Sequence, residues 1–165
     1  MSDPPVDAIV RVDHAPASLA TLMRPGIWIA RTLALVGFAD AAYLTATHYA
    51  GTSVFCGASG GCETVLTSGF ATLGPIPIAL FGAGYYAVVS MAAWTPIPSW
   101  SRSTTTFLVA LTGIALVISG ILFWIQAAVL DAWCRFCLVS AAVTLLLFAT
   151  AVSLSRLIDR TRTAP

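Results

Sequence analysis

Two apolar stretches late in the sequence, residues 104–130 and 134–154, are separated only by Asp131-Ala132-Trp133. Either is long enough to cross a hydrocarbon core of roughly 30 Å, for which about 20 residues are needed. Two such runs joined by so tight a connection read as neighbouring membrane-spanning helices, which limits the fold far more than any local motif does. Two further runs, 27–50 and 77–94, share this character. With 58% apolar residues, 9% charged residues and a mean hydropathy of +0.89, the chain reads as an integral membrane protein. Lysine is absent and the formal net charge is +1, so no basic patch points to nucleic acid as a partner.

The expected architecture is an all-α bundle of four transmembrane helices, over about 27–50, 77–94, 104–130 and 134–154. A cytosolic tail over 1–25, with room for a helical turn over Ala17 to Met23, a membrane domain over 26–155 and a cytosolic tail over 156–165 complete the division. Asp40 interrupts the first run, and Tyr43, His48 and Tyr49 crowd its end, which argues against a cleaved signal peptide. Arg31 is expected to snorkel to the near surface. Pro77 suits the first turn of the second span, and Gly82 and Gly84 permit close helix approach. The stretch 95–103, with Pro96, Pro98, Trp100 and Arg102, reads as a turn. Between the first two spans lies an extracytoplasmic loop rich in Gly, Ser and Thr, in which 63–68 reads as a short helix stopped by Gly69. Arg11, Arg24, Arg31, Arg102, Arg156, Arg160 and Arg162 fall on the side of both termini, and Arg135 alone falls opposite. The positive-inside rule then puts both termini in the cytosol, and the expected location is the inner (plasma) membrane. By parity the loop at 51–75 and the link at 131–133 share the outer face.

That face carries every cysteine, as two close pairs: Cys56 with Cys62, and Cys134 with Cys137. Scattered singly they would read as small core hydrophobes, but close pairs favour redox or metal chemistry. In Cys134-Arg135-Phe136-Cys137 both sulfurs can lie on one face of a helical turn. A helix starting at Cys134 would set that thiolate at the positive end of the helix dipole, with Arg135 beside it. Cys137 would lie about 4.5 Å deeper at roughly 1.5 Å rise per residue. Two thiols in a loop loosened by Gly57, Gly60 and Gly61, and two held at a helix end, make a relay through which a disulfide can migrate by thiolate attack. A pocket among the spans suits an apolar oxidant such as a quinone. No dinucleotide fingerprint, haem-type CxxCH or phosphate loop offers another electron acceptor.

Two rival readings stay open: a zinc site on the four cysteines, which neither the Cys56 to Cys62 gap nor the lipid-edge location favours, and static structural disulfides in a non-catalytic bundle. Asp40 also keeps two readings, proton delivery to a reduced quinone or a structural hydrogen bond, because a carboxylate inside a span is costly and normally faces the bundle interior. His48 reads as a polar interface anchor.

The run Phe55-Cys56 through Gly61-Cys62-Glu63-Thr64-Val65, then Ser68, Phe70-Ala71, Gly74, Pro77, Gly82 and Tyr85, and finally Trp133-Cys134-Arg135-Phe136-Cys137-Leu138, resembles the bacterial form of the vitamin K epoxide reductase (VKOR) family. The resemblance implies a four-helix bundle around a quinone of the ubiquinone, menaquinone or vitamin K type, capped by the loop and its short helix. It implies that Cys56 and Cys62 are a shuttle pair exchanging with a thioredoxin-like partner, that Cys62 exchanges with Cys134, and that Cys137 faces the quinone. Ser68 would hydrogen-bond a quinone oxygen. Leu66, Phe81 and Leu122 are candidates for the pocket wall, with plain helix packing as the alternative.

The implied activity is that of a thiol oxidoreductase that supports disulfide formation and reduces a membrane quinone. Vitamin K epoxide reduction with a dithiol donor is the alternative, weakened by Ala141, which stands where vertebrate members carry a Tyr. Glu63 stands where bacterial relatives commonly have Asp and keeps the charge. Many bacterial relatives carry a fused thioredoxin-like domain, whereas this chain ends about ten residues after its last span. The expected partner is therefore a separate thioredoxin-like thiol oxidase outside the cytosol, with the chain working as a monomer in membrane lipid and needing no metal.

Overall fold

The computed structural model describes residues 17–56, 61–96, 100 and 102–163, with side chains from 21 to 160. The expected tail up to residue 16 with Arg11, the glycine turn at Gly57 and Gly60, and Pro98 of the expected 95–103 turn lie outside the described residues. In chain order the elements are α1 (Ala17–Ala50), α2 (Gly61–Leu66), β1 (Thr72–Leu73), β2 (Ile76–Pro77), α3 (Ile78–Trp94), α4 (Arg102–Ala128) and α5 (Arg135–Thr163). Three helical stretches are long and apolar enough to cross a membrane: Thr21–Ala50, Arg102–Ala128 and Arg135–Arg160. The fourth apolar helix, α3, is shorter at 17 residues. Large apolar side chains such as Val36, Met91, Ile114, Val117, Trp124 and Leu145 point outward from these helices, a surface that requires lipid rather than water.

Small residues decide how the helices meet. Ala30, Ala34 and Ala41 of α1 form one buried cluster with Ala83, Tyr86, Val89 and Ala93 of α3 and with Val143 and Leu147 of α5. Gly37 of α1 makes room for the Tyr86 ring, because a Cβ there would collide with it. α1 packs on α3 and α5, and α5 packs on α4, but α3 and α4 scarcely meet. The bundle is therefore open along one side.

A second cluster joins Met23 and Ile27 of α1 to Leu108 of α4 and to Ala151, Leu154 and Ile158 of α5. This packing accounts for two differences from the sequence reading: α1 begins well before residue 27, and α5 stays helical through Arg156 and Arg160, where a tail was expected. Arg31 reaches the end of α3 instead of merely rising to the surface. Its Nε donates to the Ala93 carbonyl at 2.9 Å, and its guanidinium sits 4.9 Å from the Trp28 ring and 4.8 Å from the Trp94 ring. It thereby satisfies a last-turn carbonyl that the helix itself leaves open.

Ahead of α3 the chain makes a small antiparallel hairpin, Thr72 opposite Pro77 and Leu73 opposite Ile76. Gly74 turns it with φ 64°, a backbone setting that side chains resist. The Gly-, Ser- and Thr-rich sequence of this stretch predicts a loop, and the structure adds the hairpin.

Candidate active site

The link from α4 to α5 is too short to wander, so its polar groups must be satisfied close by. Asp131 takes φ 44°, the Ala132 N–H donates to the Gln126 carbonyl at 3.2 Å, and the Cys134 N–H donates to Gln126 Oε1 at 2.9 Å. Gln126 is buried and holds Cys134 in place. The sequence reading passed over it, although a lone amide at the end of an apolar run, just before a Cys-x-x-Cys, is a signal because burying it unpaired is costly.

Cys134 occupies the N-cap of α5. Its carbonyl accepts the Leu138 N–H at 3.0 Å, and its Sγ accepts the Cys137 N–H at 3.5 Å, where a serine or aspartate oxygen more commonly sits. The hydrogen bond from the Cys137 thiol brings the Cys134 thiol down to about 7, against the opposing effect of burial, and the backbone N–H groups of Cys137 and Phe136 add to the lowering. At neutral pH a large share of Cys134 is therefore thiolate, the nucleophilic form.

The loop pair arrives from the opposite direction. Cys56 and Cys62 form a disulfide with Cα atoms 6.0 Å apart, whereas Cys134 and Cys137 are free thiols. Cys56, Cys62, Val65 and Cys134 make a single buried cluster, with Leu66, Phe136 and Cys137 packed against it. Gly61 permits this approach: a Cβ on it would lie 2.7 Å from the Trp133 carbonyl oxygen. Arg135 fastens the loop, donating from Nη2 to the Phe55 carbonyl while its guanidinium lies 5.3 Å from the Phe136 ring. Among the described residues, no group of three or more His, Cys, Asp or Glu could hold a metal ion.

Beneath α2, a cavity of about 440 Å³ opens among α1, α3, α4 and α5, a volume typical of small-molecule sites. Leu66, Ser68, Phe81 and Leu122 all line it. Of the four cysteines, Cys137 alone does so. Leu66 of α2, Ser68 just after it, Phe81 of α3 and Leu122 of α4 thus line one cavity beside the sulfur cluster. The cavity reaches the open side of the bundle, where Phe81 of α3 and Ile118 of α4 are half exposed.

Ser68 Oγ donates to the Val65 carbonyl at 2.7 Å, which closes the end of α2. To donate to a bound oxygen, its proton must turn away from that carbonyl. Deeper in the cavity the Tyr86 hydroxyl lies 2.9 Å from Ser140 Oγ and 3.0 Å from Thr144 Oγ1. His48 lies at the outer end of the wall contributed by α1. Apolar side chains such as Leu44, Leu66, Phe81, Ile118 and Leu122 make up much of the lining, and polar groups run along it from Thr47, His48, Glu63 and Ser68 to Asp40, Tyr86, Ser119, Ser140 and Thr144, a setting that suits a mainly apolar ligand with polar oxygens.

A search of curated proteins finds no match. The model of the vitamin K epoxide reductase family, by contrast, matches residues 28–152, a segment that contains both cysteine pairs and the whole cavity wall of α3 and α4. With most of the sequence covered and the thiols gathered beside a bundle cavity, this chain belongs to the vitamin K epoxide reductase family and is an integral membrane oxidoreductase.

Proposed function

We propose that the protein is a quinone-dependent thiol oxidoreductase that supplies disulfides to a separate thioredoxin-like partner outside the cytosol. The observation that carries this reading is the gathering of all four cysteines at one end of the bundle, with Cys137 alone facing the cavity. In this reading α3 is a fourth span, both termini face the cytosol, and the membrane is the inner (plasma) membrane. The charges support that orientation: Arg24, Arg31, Arg102, Arg156 and Arg160 lie towards the far end of the bundle, where Arg102 and Asp159 pair at 3.5 Å, and Arg135 stands at the cysteine end.

A quinone bound beside Cys137 supplies a two-electron oxidising equivalent. Cys134 and Cys137 close to a disulfide and give up two electrons. The Cys62 thiolate then attacks Cys134 and releases Cys137, and the Cys56 thiolate attacks Cys62 and releases Cys134. The Cys56–Cys62 disulfide is finally opened by a thiolate of the partner, which leaves oxidised. The lowered pKa of Cys134 makes it a good leaving group in this direction and a good nucleophile in reverse. Because both loop sulfurs are buried, the partner reaches them only when the Arg135 to Phe55 contact lets go. Ser68 orients an oxygen at the mouth, and Leu66, Phe81 and Leu122 exclude water from it.

Epoxide reduction is the lesser reading, since Ala141 offers the cavity a methyl group and no hydroxyl. The test is reduction of a short-chain quinone by purified protein with a reduced thioredoxin-like donor, in the wild type and in Cys134→Ala and Cys137→Ala. Each variant should lose turnover entirely. Sustained turnover in either would end the relay mechanism, and thiols whose redox state in cells ignores quinone supply would favour static disulfides.

A further inference from the structure

Asp40 is placed where the reaction needs an acid. It lies ten residues from the end of α1 at Ala50, about 15 Å below the helix end at roughly 1.5 Å per residue. Its side chain lines the same cavity as Cys137. Its Oδ2 is buried and has no hydrogen-bond partner among the described residues. An unpaired buried carboxylate oxygen is costly, and no group among the described residues gives Oδ2 a structural hydrogen bond. No arginine or histidine is hydrogen-bonded or ion-paired to it among the described residues. The titratable groups that share its cavity are Tyr85 and Tyr86 of α3, Cys137 of α5, Glu63 of α2 and His48 of α1.

Proton supply gives this position a use. Reducing a quinone to a quinol takes two electrons and two protons. A dithiol carries both protons only while both sulfurs are protonated, and Cys134 at the N-cap of α5, lowered to about 7 by the Cys137 thiol, is about half thiolate near neutrality and reacts in that form. Cys137 brings one proton, so the second must come from another group at the cavity wall. Asp40, Leu44, Thr47, His48 and Gly51 line the cavity at helical spacing, so a single face of α1 leads from the carboxyl to the polar end of the loop. Protons from outside can recharge the acid along that face.

We infer that Asp40 is the proton donor for quinol formation, an inference that rests on the quinone-dependent reading above. The step balances: the Cys134 thiolate, the Cys137 thiol, the protonated Asp40 and a quinone yield the Cys134–Cys137 disulfide, a quinol and the Asp40 carboxylate. One S–S bond forms, the S–H bond of Cys137 and the O–H bond of Asp40 break, and two electrons pass from the sulfurs to the quinone. The net charge is −1 on each side by this stoichiometry.

The experiment uses the full-length protein with dithiothreitol and a short-chain benzoquinone. Asp40→Asn, which is isosteric and breaks no hydrogen bond of Oδ2, should slow quinol formation about 100-fold, the usual scale for a lost general acid. Thiol–disulfide exchange between the two cysteine pairs should stay unchanged in this variant, and Asp40→Glu should recover most of the rate. A second readout needs no turnover: the infrared difference spectrum between oxidised and reduced wild-type protein should contain a protonated-carboxyl band that shifts in heavy water and is absent from Asp40→Asn. Turnover of Asp40→Asn within threefold of wild type, or the same carboxyl band in both proteins, overturns the role of Asp40 and leaves the quinone reading standing. A wild-type protein that reduces no quinone from the dithiol overturns that reading and this inference together.

Discussion

Replacing Cys137 by alanine removes the thiol that donates to Cys134 and should return the Cys134 pKa from about 7 towards the ordinary thiol value. Taking that value as about 8.5, the thiolate share at pH 7 falls from about one half to about 3%, a loss of about 16-fold. Thiolate nucleophilicity rises with pKa at a Brønsted slope of about 0.45, which returns a factor of about 5. The net expectation is about a threefold slower attack of Cys134 on a small disulfide reagent at pH 7. At pH 9 the sign reverses, because both proteins are then mostly thiolate and the variant reacts about three to four times faster. The backbone N–H groups of Cys137 and Phe136 remain in the variant, so these figures are upper limits.

The assay is the pH dependence of modification by methyl methanethiosulfonate, read at Cys134 by peptide mass, in the wild type and in Cys137→Ala. Burial of Cys134 slows both proteins alike and leaves the midpoints and the crossing point intact. A wild-type midpoint at about 8.5, or two profiles that never cross, would refute the claim that Cys137 tunes Cys134.

Two other substitutions probe the frame that holds the sulfurs together. Gly61→Ala drives a Cβ to 2.7 Å from the Trp133 carbonyl oxygen and should cost about 1–3 kcal/mol while slowing exchange between the two pairs, measured by thermal unfolding and by trapping of a Cys62–Cys134 mixed disulfide. Gln126→Leu leaves the buried Cys134 N–H without its acceptor, at about 1–3 kcal/mol, and should lower Tm in detergent; an unchanged Tm would show that the link finds another partner.

The parts of this molecule that were legible in the sequence are those with a one-dimensional signature. Long apolar runs need no partner to be recognised, and four cysteines in two tight pairs declare themselves by spacing. Ser68 came through the family resemblance, and Leu66, Phe81 and Leu122 as apolar positions that plain packing could equally explain; all four side chains line the cavity. What escaped depends on residues distant in the chain. Nothing beside Gly61 says that the Trp133 carbonyl will occupy its side-chain space. The continuation of α5 past residue 154 follows from Met23 and Ile27, more than a hundred positions earlier, which bury Leu154 and Ile158. Arg31 showed a cation near a membrane surface but not the two indoles and the carbonyl that receive it. The hairpin at Gly74 was readable in principle, since Gly74-Pro75 is a turn dipeptide between apolar neighbours.

The sparse contact between α3 and α4 bears on how the enzyme is supplied. With the cavity facing sideways through that gap, the oil-soluble oxidant of the proposed function would arrive by lateral diffusion and be counted per lipid molecule rather than per litre. Under the quinone-dependent function proposed above, adding empty vesicle or micelle to a fixed amount of quinone starves the enzyme without altering it, and a cell that enlarges its membrane without enlarging its quinone pool slows the reaction in the same way.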